Sequence, residues 1–129
     1  MRPGAEPAEV DSRRLRAWRY GWLGETLGAL VLAAKGYRVL ARRWKTAAGE
    51  IDIVARRRGV LVFVEVKARR DADSAIAAIG PRQRRRIERA AGAFVGRRPE
   101  LAGLDWRFDV MLVTPWGLPR HLKNAWRPE

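Results

Sequence analysis

Asp52, Glu65 and Lys67 are residue types that together can hold a divalent cation and act on a phosphate. They lie on two apolar segments separated by a short turn. The first is Gly49-Glu50-Ile51-Asp52-Ile53-Val54-Ala55 and the second is Val60-Leu61-Val62-Phe63-Val64-Glu65-Val66-Lys67. Their Val and Ile content is that of buried strands. If Arg58-Gly59 is a two-residue hairpin loop, with Gly59 supplying the positive φ, Arg57 faces Val60. Asp52 then faces Glu65, Glu50 faces Lys67, and all four project from one side of the sheet. Opposed carboxylates with Cβ atoms roughly 5 Å apart repel. A cation bound through oxygen would offset that repulsion, and Lys67 could hold a water or phosphate beside it. A one-residue slip would put the carboxylates on opposite faces. The alternative is a surface salt-bridge cluster with no chemistry.

The flanking elements must position this hairpin. Residues 1 to 11 read as a loose tail, and 12 to 129 as a single domain. Ser12 can cap a helix that runs from Arg13 to Lys35 and stops at Gly36. Leu23, Leu27, Leu30, Val31 and Ala34 form its expected core stripe, and Gly21, Gly24 and Gly28 let a neighbour approach. A strand is expected from Tyr37 to Trp44. The hairpin follows, with Ile51, Ile53, Val64 and Val66 on one face and Val54, Leu61 and Phe63 on the other. Apolar faces on both sides make it central in the sheet. Arg69 to Ser74 reads as a charged loop and Ala75 to Ile79 as a short apolar segment. A second helix is expected from Pro81 to Arg97, with Ile87, Ala90, Ala91, Phe94 and Val95 inward. A strand from Trp106 to Thr114 follows, then an edge strand from His121 to Trp126. The fold class is α/β: a mixed central sheet flanked by helices, in the order α-β-β-β-α-β.

Lys and Arg number 27 against 14 Asp and Glu, a formal net charge of +13. Such an excess points to a polyanion, with nucleic acid ahead of a membrane surface. Arg82, Gln83, Arg85 and Arg86 at the start of the second helix, with Arg69 and Arg70, are the candidate phosphate contacts. With no cysteine and only His121, thiolate zinc and multi-histidine sites are excluded, which leaves Mg²⁺ or Mn²⁺ on oxygen ligands. No signal core or membrane span is visible, so a cytoplasmic protein is expected. Glu50 is assigned to an ion pair with Lys67, Asp109 to a buried or strand-end partner, and His121 to structure. Trp18, Trp22 and Trp106 are expected to pack the core. Trp44 and Trp116, near loops, are the candidates for base stacking.

The pattern Asp52…Glu65-x-Lys67 on this frame resembles the PD-(D/E)xK nuclease superfamily, which includes restriction endonucleases and archaeal Holliday junction resolvases. Gly49-Glu50-Ile51-Asp52 and Val62-Phe63-Val64-Glu65-Val66-Lys67 are more narrowly similar to the bacterial YraN-like family of predicted nucleases. Gly24-Glu25, Arg107-Phe108-Asp109-Val110 and Asn124-Ala125-Trp126 carry the same resemblance, which covers residues 18 to 127. The resemblance implies a restriction endonuclease-like core and metal-dependent hydrolysis of DNA phosphodiester bonds, with branched or unusual structures among the candidate substrates. It implies that Asp52 and Glu65 bind Mg²⁺, that Lys67 positions or activates water, and that Glu25 supports the metal. Gln83 stands where the family often has a lysine. By analogy with resolvases the resemblance also suggests a homodimer. The rival reading is a non-catalytic nucleic-acid-binding module that keeps the fold, and a weaker one is an adaptor for RNA or ribosomal contacts.

Overall fold

The computed structural model describes residues 23–129. The expected Ser12 cap, the helix before residue 23, Gly21, Trp18 and Trp22 lie outside them. Helix α1 spans Gly24–Ala34. Strands β1 (Arg38–Lys45), β2 (Glu50–Arg57) and β3 (Val60–Ala68) follow. Then come helices α2 (Ala72–Ala77) and α3 (Pro81–Gly96), a 3₁₀ turn at Pro99–Leu101, and strands β4 (Asp105–Val113) and β5 (Arg120–Trp126). The strands form one five-stranded sheet in the order β1-β2-β3-β4-β5. Only β3 and β4 pair in parallel, and the helical crossover between them supplies the long connection that parallel pairing requires. The mixed sheet flanked by helices is the expected architecture, consistent with a restriction-endonuclease-like core. Among the described residues no helix is long and apolar enough to cross a membrane.

The β2–β3 hairpin pairs as the loop length dictates: Arg57 with Val60, Val54 with Phe63, Ile53 with Val64. The positive φ of the turn sits on Arg58, at 55°, rather than on Gly59. Both faces of the hairpin are covered. Ala29 and Leu32 of α1 pack with Ile53, Ala55, Val62, Val64 and Met111. Ile87, Ala90, Ala91 and Phe94 of α3, with Ala75 and Ile79, pack with Val54, Leu61, Phe63, Val110 and Leu112 on the other face. Each large apolar side chain buried this way contributes about 1.5–3 kcal/mol. Across the strands, Phe63 stacks on Phe108 and Phe108 on Trp126, at centroid distances of 5.4 and 5.1 Å, which pins the register of β3, β4 and β5.

Four further expectations change. The first concerns α1, whose buried face is Gly24, Glu25, Gly28, Ala29 and Leu32, with Leu30 60% exposed. Of the expected stripe Val31 packs partly against the core, while Gly24 and Gly28, expected to let a neighbour approach, meet the sheet with Ala29 and Leu32. A Cβ on Gly28 would lie 2.9 Å from Met111 Cγ, so the helix sits too close for a side chain there. Second, residues 69 to 79 are not simply loop and apolar segment. Asp71 accepts a hydrogen bond from Ser74 N at 2.8 Å and caps α2.

Third, Ile51 does not share a face with Ile53. It packs on the α3 side with Val54, and its partner Trp44 packs there with Ala41, the partner of Val54. An odd step of three residues on both strands cannot keep one face in a regular ladder. The intervening residues Arg43 and Asp52 absorb it, and Arg43 lies in the left-handed region at φ 49°. Fourth, the tryptophans exchange roles in part. Trp44 makes an edge contact with Phe94 at 5.1 Å and carries Arg97 over its ring, so it is not free to stack on a base. Trp106 is 42% exposed rather than fully in the core.

Candidate metal centre

Backbone pairing of β2 with β3 stops at Ile53–Val64, one step before the two carboxylates. There the strands part, and the side chains fill the gap. Asp52 N donates to Glu65 Oε2 at 3.2 Å, and Val66 N donates to Asp52 Oδ2 at 2.8 Å. Each acid thus accepts from the backbone of the opposite strand, which places both at the head of one cleft. The cleft holds about 560 Å³ and is lined by Glu50, Asp52, Glu65, Lys67 and, from the α3 side, Gly80, Arg82, Gln83 and Arg86. Gly49 sets its width. A Cβ there would meet the Cβ and carbonyl oxygen of Arg86 at 3.4 Å, so the β1–β2 turn lies close against α3.

The electrostatics reflect two acids crowded at the head of the cleft. Glu65 is 4% exposed. Burial, then the neighbouring Asp52 charge, pushes its carboxyl up to about 8. Burial also raises Asp52, with Glu50 adding to the effect and the Val66 amide, Lys67 and Arg43 opposing it. A buried acid and a half-buried one that resist ionising together are stabilised as carboxylates by a positive ion between them. The oxygen-only donor set suits Mg²⁺ or Mn²⁺. Asp52 and Glu65 are the residues that would hold it. Among the described residues no third His, Cys, Asp or Glu joins them as a ready ligand group.

Lys67 lines the cleft, as expected, beside the two acids. The expected Glu50–Lys67 ion pair is not formed. Glu50 pairs in the ladder with Lys45 of β1, and the parting of the strands leaves Lys67 without an ion-pair partner among the described residues. Its charge acts on both acids, lowering Asp52 and Glu65. Arg82, Gln83 and Arg86 also line the cleft, at the N-terminal end of α3. Pro81 occupies the first turn there, and the helix dipole adds to the attraction for an anion. Arg85 is exposed on the same helix but outside the cleft lining. Arg69 and Arg70 are exposed just past β3, with Arg69 donating to Ala68 O at 2.8 Å. Arg84 is used structurally: it donates to Ile79 O at 2.8 Å and lies over Trp126.

Glu25 does not line the cleft. It is buried at the start of α1, and its two oxygens are held by Arg42 at 3.2 Å and Arg43 at 3.3 Å. Burial raises its carboxyl against those two arginines, and the charge of Asp52 adds to the rise. Arg43 is a charge shared by the two acids, lowering both Glu25 and Asp52. Residue type alone does not single out Arg42 and Arg43. Their role follows only once the β1–β2 register, with its bulge between Val39 and Ala41, is known.

Asp109 and His121 have the expected structural roles. Asp109 is fully buried on the opposite sheet face from the cleft. It accepts from Arg107 Nε and Nη2 at 2.8 Å and from Asn124 N at 2.9 Å, and pairs with His121 Nε2 at 2.7 Å. Despite burial, those hydrogen bonds hold its carboxyl below the usual range. The other imidazole nitrogen of His121 contacts Lys35 Nζ. The cluster ties α1 to β4 and β5 and takes up the amide freed where the β4–β5 ladder shifts.

Comparison with known proteins finds close relatives along nearly the whole chain. The model of the family described as "Uncharacterised protein family UPF0102" matches residues 24–113. A UPF0102 protein of Parvibaculum lavamentivorans is 58% identical over 114 residues, 88% of this chain and 86% of that protein. One from Paramagnetospirillum magneticum is 54% identical, covering 86% of this chain and 89% of its own length. One from Bradyrhizobium diazoefficiens is 50% identical, covering 95% and 92%.

Proposed function

We propose that this chain, which belongs to the uncharacterised protein family UPF0102, is a metal-dependent nuclease of PD-(D/E)xK type that hydrolyses phosphodiester bonds of nucleic acid, with DNA as the substrate. The observation that carries this reading is the meeting of Asp52, Glu65 and Lys67 in one cleft roofed by the basic start of α3. A Mg²⁺ or Mn²⁺ ion held by Asp52 and Glu65 would supply Lewis-acid polarisation of the phosphate and a water of lowered pKa. The rest is done by side chains. Arg82 and Arg86 neutralise flanking phosphates and fix the strand along the cleft. Lys67 places a positive charge where negative charge grows on the phosphoryl oxygens, and orients the attacking water. Gln83 can donate to a phosphate oxygen or a water. Glu25 keeps Arg43 beside Asp52 and so positions the acid without touching substrate. In the net reaction water gives a hydroxyl to phosphorus and a proton to the leaving oxygen as the phosphorus–oxygen bond breaks.

The test is incubation of the full chain with duplex, single-stranded and branched DNA in Mn²⁺ or EDTA. Cleavage is expected only with the metal, and is expected to vanish in Asp52→Ala and Lys67→Ala. Cleavage that survives both substitutions overturns the assigned site. Salt-sensitive binding without any cleavage would favour the non-catalytic binding module instead.

A further inference from the structure

The most exposed large apolar side chains among the described residues are Leu118, at 79%, and Trp116, at 76%. Both stand in the β4–β5 hairpin loop, within Pro115-Trp116-Gly117-Leu118-Pro119. The loop leaves the sheet at the end that carries the metal pair, because β4 runs parallel to β3 and Val113 pairs with Ala68. Lys67, Leu112 and Arg120 form one cross-strand row, since Lys67 pairs with Leu112 and Leu112 with Arg120. Directly paired residues share a face, so the cleft wall at Lys67 continues toward Arg120. Trp116 stands three residues beyond Val113, a reach of at most about 10 Å, or roughly three nucleotide rises along a duplex strand. Exposed Arg69, Arg70 and Arg120 surround the loop base. Of the nearby acids, Asp71 is engaged in capping α2, and Asp73 is exposed.

We propose that this hairpin tip contacts bases: Trp116, flanked by Leu118, stacks on an unpaired base of the strand whose backbone lies in the cleft. The inference rests on the nuclease reading above and gives that site its substrate preference, for nucleic acid with unpaired bases a few nucleotides from the phosphate in the cleft. A base in a closed duplex has both faces covered, whereas one at a fork, flap or single-stranded stretch offers a face to indole. The other occupants fit less well. Two side chains of 150–250 Å² at most cover far less than the roughly 800 Å² per partner of a standard protein interface. A membrane-surface element presents a long apolar face, not a two-residue tip between prolines. Continuity with a phosphate-binding cleft favours a nucleobase.

The experiment compares wild type, Trp116→Ala and Trp116→Phe, as full chains in EDTA, for binding to a fluorescein-labelled forked DNA and a blunt duplex of equal length. Anisotropy is expected to show Trp116→Ala weakened on the fork by roughly 5- to 150-fold, the loss of one stacked base. Duplex binding should stay within about twofold, and Trp116→Phe should retain most fork affinity through its own ring. Equal loss on both DNAs, or no loss on the fork, overturns the proposal. So does a Trp116→Ala effect confined to sedimentation with phosphatidylserine vesicles or to self-association. Mn²⁺-dependent cleavage by wild type is measured alongside. Its absence with fork preference intact defeats only the nuclease reading, and its presence without Trp116 dependence defeats only this one.

Discussion

Glu65→Gln should make the metal-free protein more stable at alkaline pH, although it alters the proposed centre of the site. Burial and Asp52 raise the Glu65 carboxyl to about 8 in the folded protein. In the unfolded chain it titrates near 4.3. Between those values the folded state binds a proton that the unfolded state has lost, so stability falls as pH rises. Each pH unit in that window costs about 1.4 kcal/mol, and the whole window about 5 kcal/mol. The loss is complete once pH passes the folded value and is absent below about 4. Asp52 is raised too, so its contribution has the same sign. A glutamine at 65 cannot ionise, so the difference between wild type and Glu65→Gln reads the titration of Glu65 together with its effect on the neighbouring Asp52. Urea unfolding followed by tryptophan fluorescence in EDTA, from pH 4.5 to 8.5, measures it. The expected result is a widening advantage of Glu65→Gln, reaching several kcal/mol at pH 8.5. Adding Mn²⁺ should narrow the gap by stabilising wild type alone. Parallel profiles for the two proteins would refute the claim that the acids are forced together out of water.

Two further outcomes follow from the same geometry. Asp109→Asn should destabilise the protein by about 3–5 kcal/mol in urea unfolding, because it leaves Arg107 and His121 without their buried partner. It should leave Mn²⁺ affinity unchanged, since Asp109 lies on the sheet face opposite the cleft. Replacing Arg82 and Arg86 together by alanine should weaken binding to every DNA and make the log–log salt dependence shallower by about 1.8, as read by anisotropy across a salt series.

The arrangement at the site was legible where one short-range rule decides it. The two-residue loop at Arg58-Gly59 sets the pairing of Ile53 with Val64, and with it the convergence of Asp52, Glu65 and Lys67. What happens one residue later was not legible. The parting of the strands leaves Lys67 without Glu50, and the left-handed turn at Arg43 moves Ile51 to the α3 face. Arginine has no propensity that announces such a conformation, so only the assembled sheet shows it. Leu30 shows a different limit. The glycines announced a close approach, and Gly28 makes one to Met111, but apolar spacing did not show that this contact turns Leu30 outward. The binding of Glu25 to Arg42 and Arg43, and the Asp109–His121 cluster, join residues far apart in the chain and depend on the packing of α1 against the sheet.

Calorimetric titration of Mn²⁺ into the metal-free protein at pH 8 tests most directly whether Asp52 and Glu65 form a cation site. One ion should bind wild type, binding should be lost in Asp52→Ala and Glu65→Ala, and it should persist in Lys67→Ala. Absence of binding to wild type, or affinity unchanged by Asp52→Ala, would contradict the account.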